Sequence, residues 1–225
     1  MKHVILLPTY NEAENIEKVV TLVMTSYPDV YIKVIDDNSP DGTATIVSRL
    51  MQKFPHLSLL LRKGKQGLGK AYMHGFQEAM KDQETTHVIM MDADLSHDPK
   101  YLAEMIRQSA DFDVVIGSRY IPEGGTVDWE WWRKVLSWAA NTYARIITRV
   151  PIHDVTAGFN CISIRALSSI DLNLINLYPF LIGNILCTYL IHYLSYSALA
   201  GLRKIMPHLK SLCLGSTGNL KLQFI

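Results

Sequence analysis

The first 116 residues alternate short apolar runs with helical patterns, and this alternation restricts the possible folds more than any other feature. The runs are four or five residues long and rich in Val, Ile and Leu, which predicts buried parallel strands. The segments between them predict helices, and Pro99 suits a first helical turn after Asp98 as the cap. The predicted strands are His3–Leu7, Tyr31–Ile35, Leu57–Leu61, His87–Met91 and Asp113–Ile116, and the predicted helices are Glu12–Thr25, Thr43–Phe54, Gly69–Lys81 and Pro99–Ser109.

This order of strands and helices builds βαβ units, and therefore predicts an α/β protein with a parallel, doubly wound sheet. Ligands of such sheets bind just beyond the carboxyl ends of the strands. Polar residues are concentrated at these positions: Pro8–Glu12 follows the first strand, Asp36–Thr43 the second and Asp92–His97 the fourth. We therefore expect the functional site at this edge of the sheet.

Asp92 and Asp94 are two residues apart where the chain leaves the fourth predicted strand. Carboxylates placed in this way can turn toward one divalent cation, and their hard oxygens suit Mg²⁺ or Mn²⁺, which also bind phosphate oxygens. The alternative is a solvated acidic turn in which Asp98 caps a helix. The position at a predicted carboxyl edge favours the metal site.

The glycine-rich segment Gly64–Lys70 follows the third predicted strand. It lacks the spacing of a Walker phosphate loop, and the first strand is not followed by a dinucleotide fingerprint, which argues against kinase-like and dehydrogenase functions. The segment fits a basic turn and a ligand contact equally well.

Charge and cysteine content exclude further classes of protein. With 22 Lys and Arg against 21 Asp and Glu, the chain offers no electrostatic basis for binding nucleic acid. Three widely spaced cysteines indicate neither a disulfide framework nor a zinc motif, so a reducing compartment is expected. The amino terminus lacks the apolar stretch of a signal peptide, and the catalytic part is expected in the cytoplasm.

Several motifs occur in the order and at the strand ends typical of one enzyme family. With them, residues 3 to 171 resemble the family 2 glycosyltransferases of GT-A fold, and within these the dolichol- and polyprenyl-phosphate mannose synthases. The resemblance implies a doubly wound, mostly parallel α/β sheet with helices on both faces. The motifs are Pro8–Glu12, Ile35–Thr43, Gly67–Gly69, Asp92–His97, Gly117–Tyr120 and Asp154–Phe159.

The resemblance also implies roles for individual residues. Asp92, Ala93 and Asp94 would flank the diphosphate of the donor and its metal ion. Arg119 would meet the phosphate of the lipid acceptor or those of the donor. Ser96 occupies a position where some relatives place another metal ligand, often Gln. The base and ribose of GDP would be held by Pro8, Tyr10, Glu12, Ile35 and Asp37.

The activity that the resemblance implies is inverting transfer of a mannosyl group from GDP-mannose to a polyprenyl (dolichyl) monophosphate, with Mg²⁺ or Mn²⁺ as cofactor. A metal ion held by Asp92 and Asp94 would stabilise the charge that develops on the leaving diphosphate. The acceptor phosphate is already anionic near neutral pH, so no strong general base is required. Arg119 would orient its attacking oxygen.

Residues 127–150 combine four tryptophans with four basic residues. An amphipathic helix of this composition fits the headgroup region of a membrane, where a polyprenyl acceptor resides and where a protein of this kind would act peripherally at the cytoplasmic face. A buried helix of core tryptophans explains the pattern equally well. The residues are Trp129, Trp131, Trp132, Trp138, Arg133, Lys134, Arg145 and Arg149.

A break in charge divides the chain into a catalytic domain, residues 1–171, and a tail, residues 172–225. The domain contains 18 basic and all 21 acidic residues, a net charge of −3, whereas the tail contains four basic residues and no carboxylate. Residues 172–202 are 31 consecutive residues without Asp, Glu, Lys or Arg, which is long enough to cross a bilayer. Several Asn, Ser and Tyr residues and Pro179 dilute its hydrophobicity.

The family resemblance is lost in the tail, beyond Tyr178-Pro179-Phe180. Relatives continue there with an Arg- and Lys-containing loop that would close over the substrate phosphates. Two explanations remain open: a shifted reading frame, or a membrane-associated segment. The alternatives to the implied activity are therefore an impaired remnant that binds nucleotide sugars, or a related enzyme that uses another sugar nucleotide.

Overall fold

All five predicted strands lie in one sheet of the computed structural model, which describes residues 1–118, 131–132, 138, 142, 154, 157–169, 172 and 221–225. Within this part of the chain the strands are β1 (Lys2–Thr9), β2 (Tyr31–Asp36), β3 (Leu57–Leu61), β4 (Thr85–Met90), β5 (Val114–Ile116), β6 (Asn160–Ser163) and β7 (Leu222–Phe224). Their order across the sheet is β3-β2-β1-β4-β6-β5-β7.

The sheet is mostly parallel, as predicted. β1 pairs in parallel with β2 and β4, and β2 pairs in parallel with β3. β6, which the sequence analysis did not predict, lies antiparallel between β4 and β5. Because β6 runs in the opposite direction, the residues that precede it lie beside the carboxyl end of β4, where Met90 is paired with Asn160. This single reversal brings the segment before β6 to the predicted edge.

Helices cover both faces of the sheet. Alternate residues of β1 point to opposite faces, so that Val4 and Leu6 pack in one core and Ile5 and Leu7 in the other. The first core includes side chains of α3 and α5, and the second includes side chains of α1, α2 and α4. The helices are α1 (Ile16–Ser26), α2 (Thr43–Leu50), α3 (Leu68–Lys81), a 3₁₀ turn (Pro99–Tyr101) followed by α4 (Leu102–Gln108), and α5 (Ile164–Ser168).

Gly75 allows α3 to approach the sheet closely. A Cβ atom at this position would lie 2.5 Å from Ile35 Cδ1 and 3.1 Å from Leu6 Cδ1. A side chain here would require the ends of the Ile35 and Leu6 side chains to shift. The close approach also brings Tyr72, on the preceding turn of α3, to the carboxyl end of β4.

α1 begins four residues later than predicted. The backbone amides of Asn11, Glu12 and Ala13 donate to Ser39 Oγ, Thr43 Oγ1 and Asp41 Oδ2, respectively, at 2.9–3.0 Å. These bonds tie the segment after β1 to the loop after β2, and regular helix begins only where the Ile16 amide donates to the Glu12 carbonyl at 2.9 Å. α2 ends at Leu50 rather than at the predicted Phe54. Phe54 precedes a proline, and the helical conformation is unfavourable for a residue in that position. The predicted cap is confirmed: Asp98 Oδ1 accepts from the Lys100 amide.

No helix among the described residues is long and apolar enough to cross a bilayer. The apolar stretch 172–202 lies outside this part of the chain except for Leu172, which is buried. At the end of the tail, β7 pairs in parallel with β5, and the Ser118 amide donates to the Ile225 carbonyl at 2.8 Å. The division into domain and tail stays a prediction.

Two buried histidines stack at the opposite end of the sheet from the predicted site. The rings of His3 and His87 are 5.0 Å apart, and His3 Nε2 lies 2.8 Å from Ser109 Oγ. Burial, together with the neighbouring His87, lowers the pKa of His3 to about 4. Burial also lowers the pKa of His87. Both rings are therefore neutral in the folded protein near neutral pH.

We expect this pair to make the protein sensitive to acid. As the pH falls below about 6.5, His3 becomes protonated in the unfolded protein, whereas in the folded protein it stays neutral down to about pH 4. The free energy of unfolding therefore decreases as the pH falls across this interval. The loss from His3 is at most about 3 kcal/mol. Urea unfolding of the wild type and of His3→Phe between pH 7.5 and 4.5 measures it, and the variant should show the shallower slope. Parallel curves would contradict the assignment.

Candidate active site

The carboxyl ends of β1 and β2 are joined through a fully buried carboxylate. Asp36 accepts hydrogen bonds from Thr9 Oγ1 at 2.8 Å, from the Ser39 amide at 2.8 Å and from Ser39 Oγ at 2.6 Å. These donors compensate the buried charge. Asp36 therefore links the loop after β1 to the loop after β2, and both loops contain residues predicted to bind the nucleotide.

Asp37, the next residue, forms a buried ion pair with Arg62. The Arg62 guanidinium donates to Asp37 Oδ1, and the Gln66 amide donates to Asp37 Oδ2 at 2.9 Å. Both charged side chains are only 5% exposed. Arg62 also donates to Gln66 Oε1 at 3.2 Å, so the pair fixes the start of the glycine-rich segment. Arg62 was not among the predicted site residues, although it directly follows β3, at a strand end where ligand-binding residues are expected.

Tyr10 and Lys65 approach each other across the same edge. The Lys65 ammonium lies 4.0 Å from the centre of the Tyr10 ring. Gly67, two residues on, has φ +92°, a conformation that favours glycine and starts α3 at Leu68. Among the other predicted base- and ribose-binding residues, Glu12 is half-buried, whereas the side chains of Pro8 and Ile35 are buried. Their roles stay predictions.

Asp92 and Asp94 lie just beyond β4, as predicted from the sequence. The Asp92 carboxylate is 36% exposed, and its Oδ1 accepts from the Tyr72 hydroxyl at 3.2 Å. Asp94 is exposed, and its Oδ1 accepts from the Ser96 amide at 2.9 Å. Ala93 between them is buried, so the two carboxylates project outward from an anchored backbone.

The electrostatics of this loop keep Asp94 charged. Partial burial raises the pKa of the Asp94 carboxyl. The hydrogen bonds from Ser96, together with the electrostatic effect of the nearby His97, outweigh burial and lower this pKa overall. Tyr72 shows the opposite shift: burial, reinforced by the charges of Asp92 and Asp94, raises the pKa of its hydroxyl well above 10. The Tyr72 hydroxyl therefore keeps its proton and donates a hydrogen bond to Asp92. Its position inside α3 gave no sequence signal, because an aromatic residue there also fits a core position.

The segment before β6 closes the site on its other side. The Gly117 amide donates to the Phe159 carbonyl at 2.9 Å, which joins the end of β5 to the start of β6. Asp154, the first residue of the predicted Asp154–Phe159 motif, is fully buried. Arg119, predicted to bind a phosphate, lies outside the described residues, as do residues 155 and 156.

The donors present fit a divalent cation that is shared with a substrate. Among the described residues, no group of three or more His, Cys, Asp or Glu side chains could hold a metal ion alone. Asp92 and Asp94 supply two carboxylates at the sheet edge, the first half-buried and the second exposed. Mg²⁺ and Mn²⁺ are commonly held by one or two carboxylates and completed by substrate phosphates, and the pair meets this requirement.

The strand order and the carboxylate pair at the sheet edge define a protein of the GT-A class. Solved structures of that fold align with the chain: mannosyl-3-phosphoglycerate synthase from Rubrobacter xylanophilus has a TM-score of 0.57 at 15% identity, covering 94% of this chain and 75% of that one. Glucosyl-3-phosphoglycerate synthase from Mycobacterium tuberculosis, solved with Mn²⁺, UDP and phosphoglyceric acid, has a TM-score of 0.56 at 16% identity, covering 81% and 66%.

The sequence model of glycosyl transferase family 2 matches residues 4–170, and the chain belongs to this family. Polyprenol monophosphomannose synthase of Mycolicibacterium smegmatis is 40% identical over 174 residues, covering 76% of this chain and 65% of the relative. Undecaprenyl-phosphate mannosyltransferase of Micrococcus luteus is 35% identical over 175 residues, covering 78% and 72%. The chain thus spans slightly less than two thirds of the first relative's length.

Proposed function

We propose that this protein transfers a mannosyl group from GDP-mannose to a polyprenyl monophosphate. The observation that carries the proposal is the 40% identity with a polyprenol monophosphomannose synthase over 174 residues. The family match over residues 4–170 includes the described site. The half-buried Asp92 and the exposed Asp94 carboxylates at the sheet edge support it, because a nucleotide-sugar donor needs its diphosphate bound at such an edge.

The reaction divides the site into two halves. The β1, β2 and β3 loops, fixed by Asp36 and by the Asp37–Arg62 pair, would bind the nucleoside of the donor. Asp92 and Asp94 would orient the diphosphate, together with a divalent cation that neutralises its negative charge when bound. The segment before β6 and Arg119 would face the acceptor phosphate.

The chemical step requires little of the protein beyond positioning. An oxygen of the acceptor phosphate attacks the mannosyl anomeric carbon, the bond from that carbon to the β-phosphate oxygen breaks, and GDP leaves with the electron pair. Because the attacking oxygen is already anionic, no side chain has to remove a proton. A single displacement inverts the configuration at the anomeric carbon. The site residues would act by aligning the two phosphate groups.

A transfer assay tests this function directly. The purified chain is incubated with GDP-mannose and a polyprenyl monophosphate, with Mn²⁺, with Mg²⁺ or with a chelator, and the mannosylated lipid is measured. We expect product only with a metal ion. UDP-glucose in place of GDP-mannose tests for a different donor, and product from it alone would contradict the assigned sugar nucleotide.

A second candidate is an impaired remnant that binds the donor without efficient transfer. It is favoured by the family match, which ends at residue 170, and by the carboxylate-free tail that follows. The same assay distinguishes the two functions. Metal-dependent GDP binding without measurable product would support the remnant, and product formation would exclude it.

We also propose that the protein meets its lipid acceptor at a membrane surface. Trp131 and Trp138 are helical and 76% and 62% exposed, which favours the interfacial interpretation of this segment over burial in the core. Exposed tryptophans beside basic residues are typical of helices that lie in the headgroup region.

The double variant Trp131→Ala/Trp138→Ala should bind membranes more weakly. Each lost apolar contact is worth roughly 1.5 kcal/mol, or about 3 kcal/mol for the two, so we expect about 100-fold weaker binding to phosphatidylcholine–phosphatidylglycerol vesicles in sedimentation assays. GDP binding in solution should be unchanged. Leu22→Ala, which removes a half-exposed apolar side chain from α1, is the matched control. Equal vesicle binding by wild type and double variant would contradict the proposal.

A further inference from the structure

A histidine connects the carboxylate loop to the neighbouring strand, and the sequence analysis gave it no role. We propose that His97 is a positioning residue that holds the Asp92–Asp94 loop in the shape that binds a divalent cation together with a nucleoside diphosphate. The inference rests on the proposed function, because it concerns how the same site is kept in order. Three independent features of the loop support it.

The first feature is a hydrogen bond that closes the loop. The Met91 amide donates to the Leu6 carbonyl at 3.2 Å, at the end of the β1–β4 pairing. The next amide, that of Asp92, donates to His97 Nδ1 at 2.9 Å. A backbone donor at a strand end needs an acceptor, and here a side chain five residues later provides it. His97 therefore fixes the backbone from which Asp92 and Asp94 project.

The second feature is the orientation of the imidazole. Because Nδ1 accepts a hydrogen bond, the neutral ring carries its proton on Nε2, which lies 3.8 Å from Asp92 Oδ2. The Tyr72 hydroxyl donates to the other carboxylate oxygen, Oδ1. The Asp92 side chain is thus bordered by the Tyr72 hydroxyl on one side and by the His97 ring on the other, and both groups limit its rotation.

The third feature is the packing around the His97 ring. His97 stacks on Phe159 with the ring centres 5.1 Å apart and an angle of 9° between the planes. A Cβ atom at Gly158 would lie 3.2 Å from His97 Cε1 and 3.8 Å from Asp92 Oδ2. Glycine at this position leaves room for both side chains. The start of β6 thereby fixes the position of the carboxylate loop after β4.

The loop needs such support because it contains a strained residue. Leu95, between the carboxylates and His97, has φ +64°, in the left-handed region that residues with a side chain rarely adopt. Strained conformations persist only where the surrounding structure enforces them, and they concentrate at functional sites. The Asp92–His97 bond spans Leu95, so it opposes relaxation of this turn.

Two substitutions separate the hydrogen bond from the packing. His97→Phe keeps a flat ring for stacking on Phe159 but removes the acceptor, whereas His97→Asn keeps an acceptor oxygen near the position of Nδ1 but removes the ring. His74→Phe makes the same change on α3, where His74 is half-buried, and serves as the matched control. Gly158→Ala should displace the imidazole without altering it.

Binding of Mn²⁺ in the presence of GDP is the main measurement, by electron paramagnetic resonance of the free ion. We expect His97→Phe to bind Mn²⁺ about ten-fold more weakly, a change typical of residues that support metal ligands. GDP affinity measured with a chelator should not change. His97→Asn should lie closer to the wild type than His97→Phe does, Gly158→Ala should lie between the wild type and His97→Phe, and His74→Phe should match the wild type.

The outcomes separate this inference from the proposed function. Equal Mn²⁺ affinity in the wild type and His97→Phe would overturn the inference alone, and so would an affinity of His97→Asn as low as that of His97→Phe. A wild type that binds Mn²⁺ and GDP but forms no mannosylated lipid contradicts transfer alone. If His97→Phe does not fold, ¹⁵N NMR of the wild type decides: an unprotonated Nδ1 supports the inference, and a protonated Nδ1 overturns it.

Discussion

Asp94→Asn is expected to abolish most of the metal dependence of donor binding. The variant removes a carboxylate charge from the exposed side of the loop but keeps an oxygen that can accept from the Ser96 amide. Loss of a charged contact costs at least ~1 kcal/mol, so Mn²⁺-dependent GDP binding should weaken five-fold or more. Transfer should fall further, by about 100-fold, because the charge on the leaving diphosphate increases in the transition state.

Titration calorimetry with GDP, in Mn²⁺ and in a chelator, measures the first effect, and the mannosyl transfer assay measures the second. Asp98→Asn is the matched control, since it makes the same change four residues later. Asp98 caps the following 3₁₀ turn and pairs with Lys100 at 2.9 Å, and asparagine also serves as a cap. This control should retain metal-dependent binding. A wild type that binds GDP equally well with chelator would contradict the metal site itself.

Arg62→Met is expected to have the largest effect on stability. It leaves the Asp37 carboxylate buried without its cation, and breaking a buried ion pair in this way costs about 3–5 kcal/mol. Urea unfolding measures this change in the free energy of unfolding. The double variant Asp37→Asn/Arg62→Met should recover much of the loss, because no unpaired charge remains and the amide oxygen can still accept from Gln66.

Arg49→Met provides the control on the surface. Arg49 pairs with Glu17 at 2.6 Å, but these side chains are 63% and 52% exposed. Exposed pairs contribute about 1 kcal/mol or less, so this variant should unfold nearly as the wild type does. Similar losses for Arg62→Met and Arg49→Met would show that the Asp37–Arg62 pair does not stabilise the loops predicted to bind the nucleotide.

Much of the site was accessible from the sequence because it depends on local patterns. Apolar runs predicted β1 to β5, and the rule that ligands bind at carboxyl ends then selected Asp92, Asp94 and the stretch Asp36–Thr43. The family resemblance singled out Asp37 within that stretch. The same rule applied to β3 would have selected Arg62. Tyr72 could not be identified in this way, because its contact with Asp92 depends on the close approach of α3 that Gly75 allows.

Local sequence patterns predicted the order of β1 to β5 and of α1 to α4 along the chain, and the carboxylates that follow β4. The antiparallel position of β6 in the sheet became visible only in the tertiary structure. The same holds for the packing of His97 against Gly158 and Phe159 and for the ion pair of Arg62 with Asp37. The physical reason is distance along the chain. Hydrophobic periodicity and strand ends are encoded within a few neighbouring residues, whereas pairing between remote strands and compensation of buried charges exist only after the sheet has assembled.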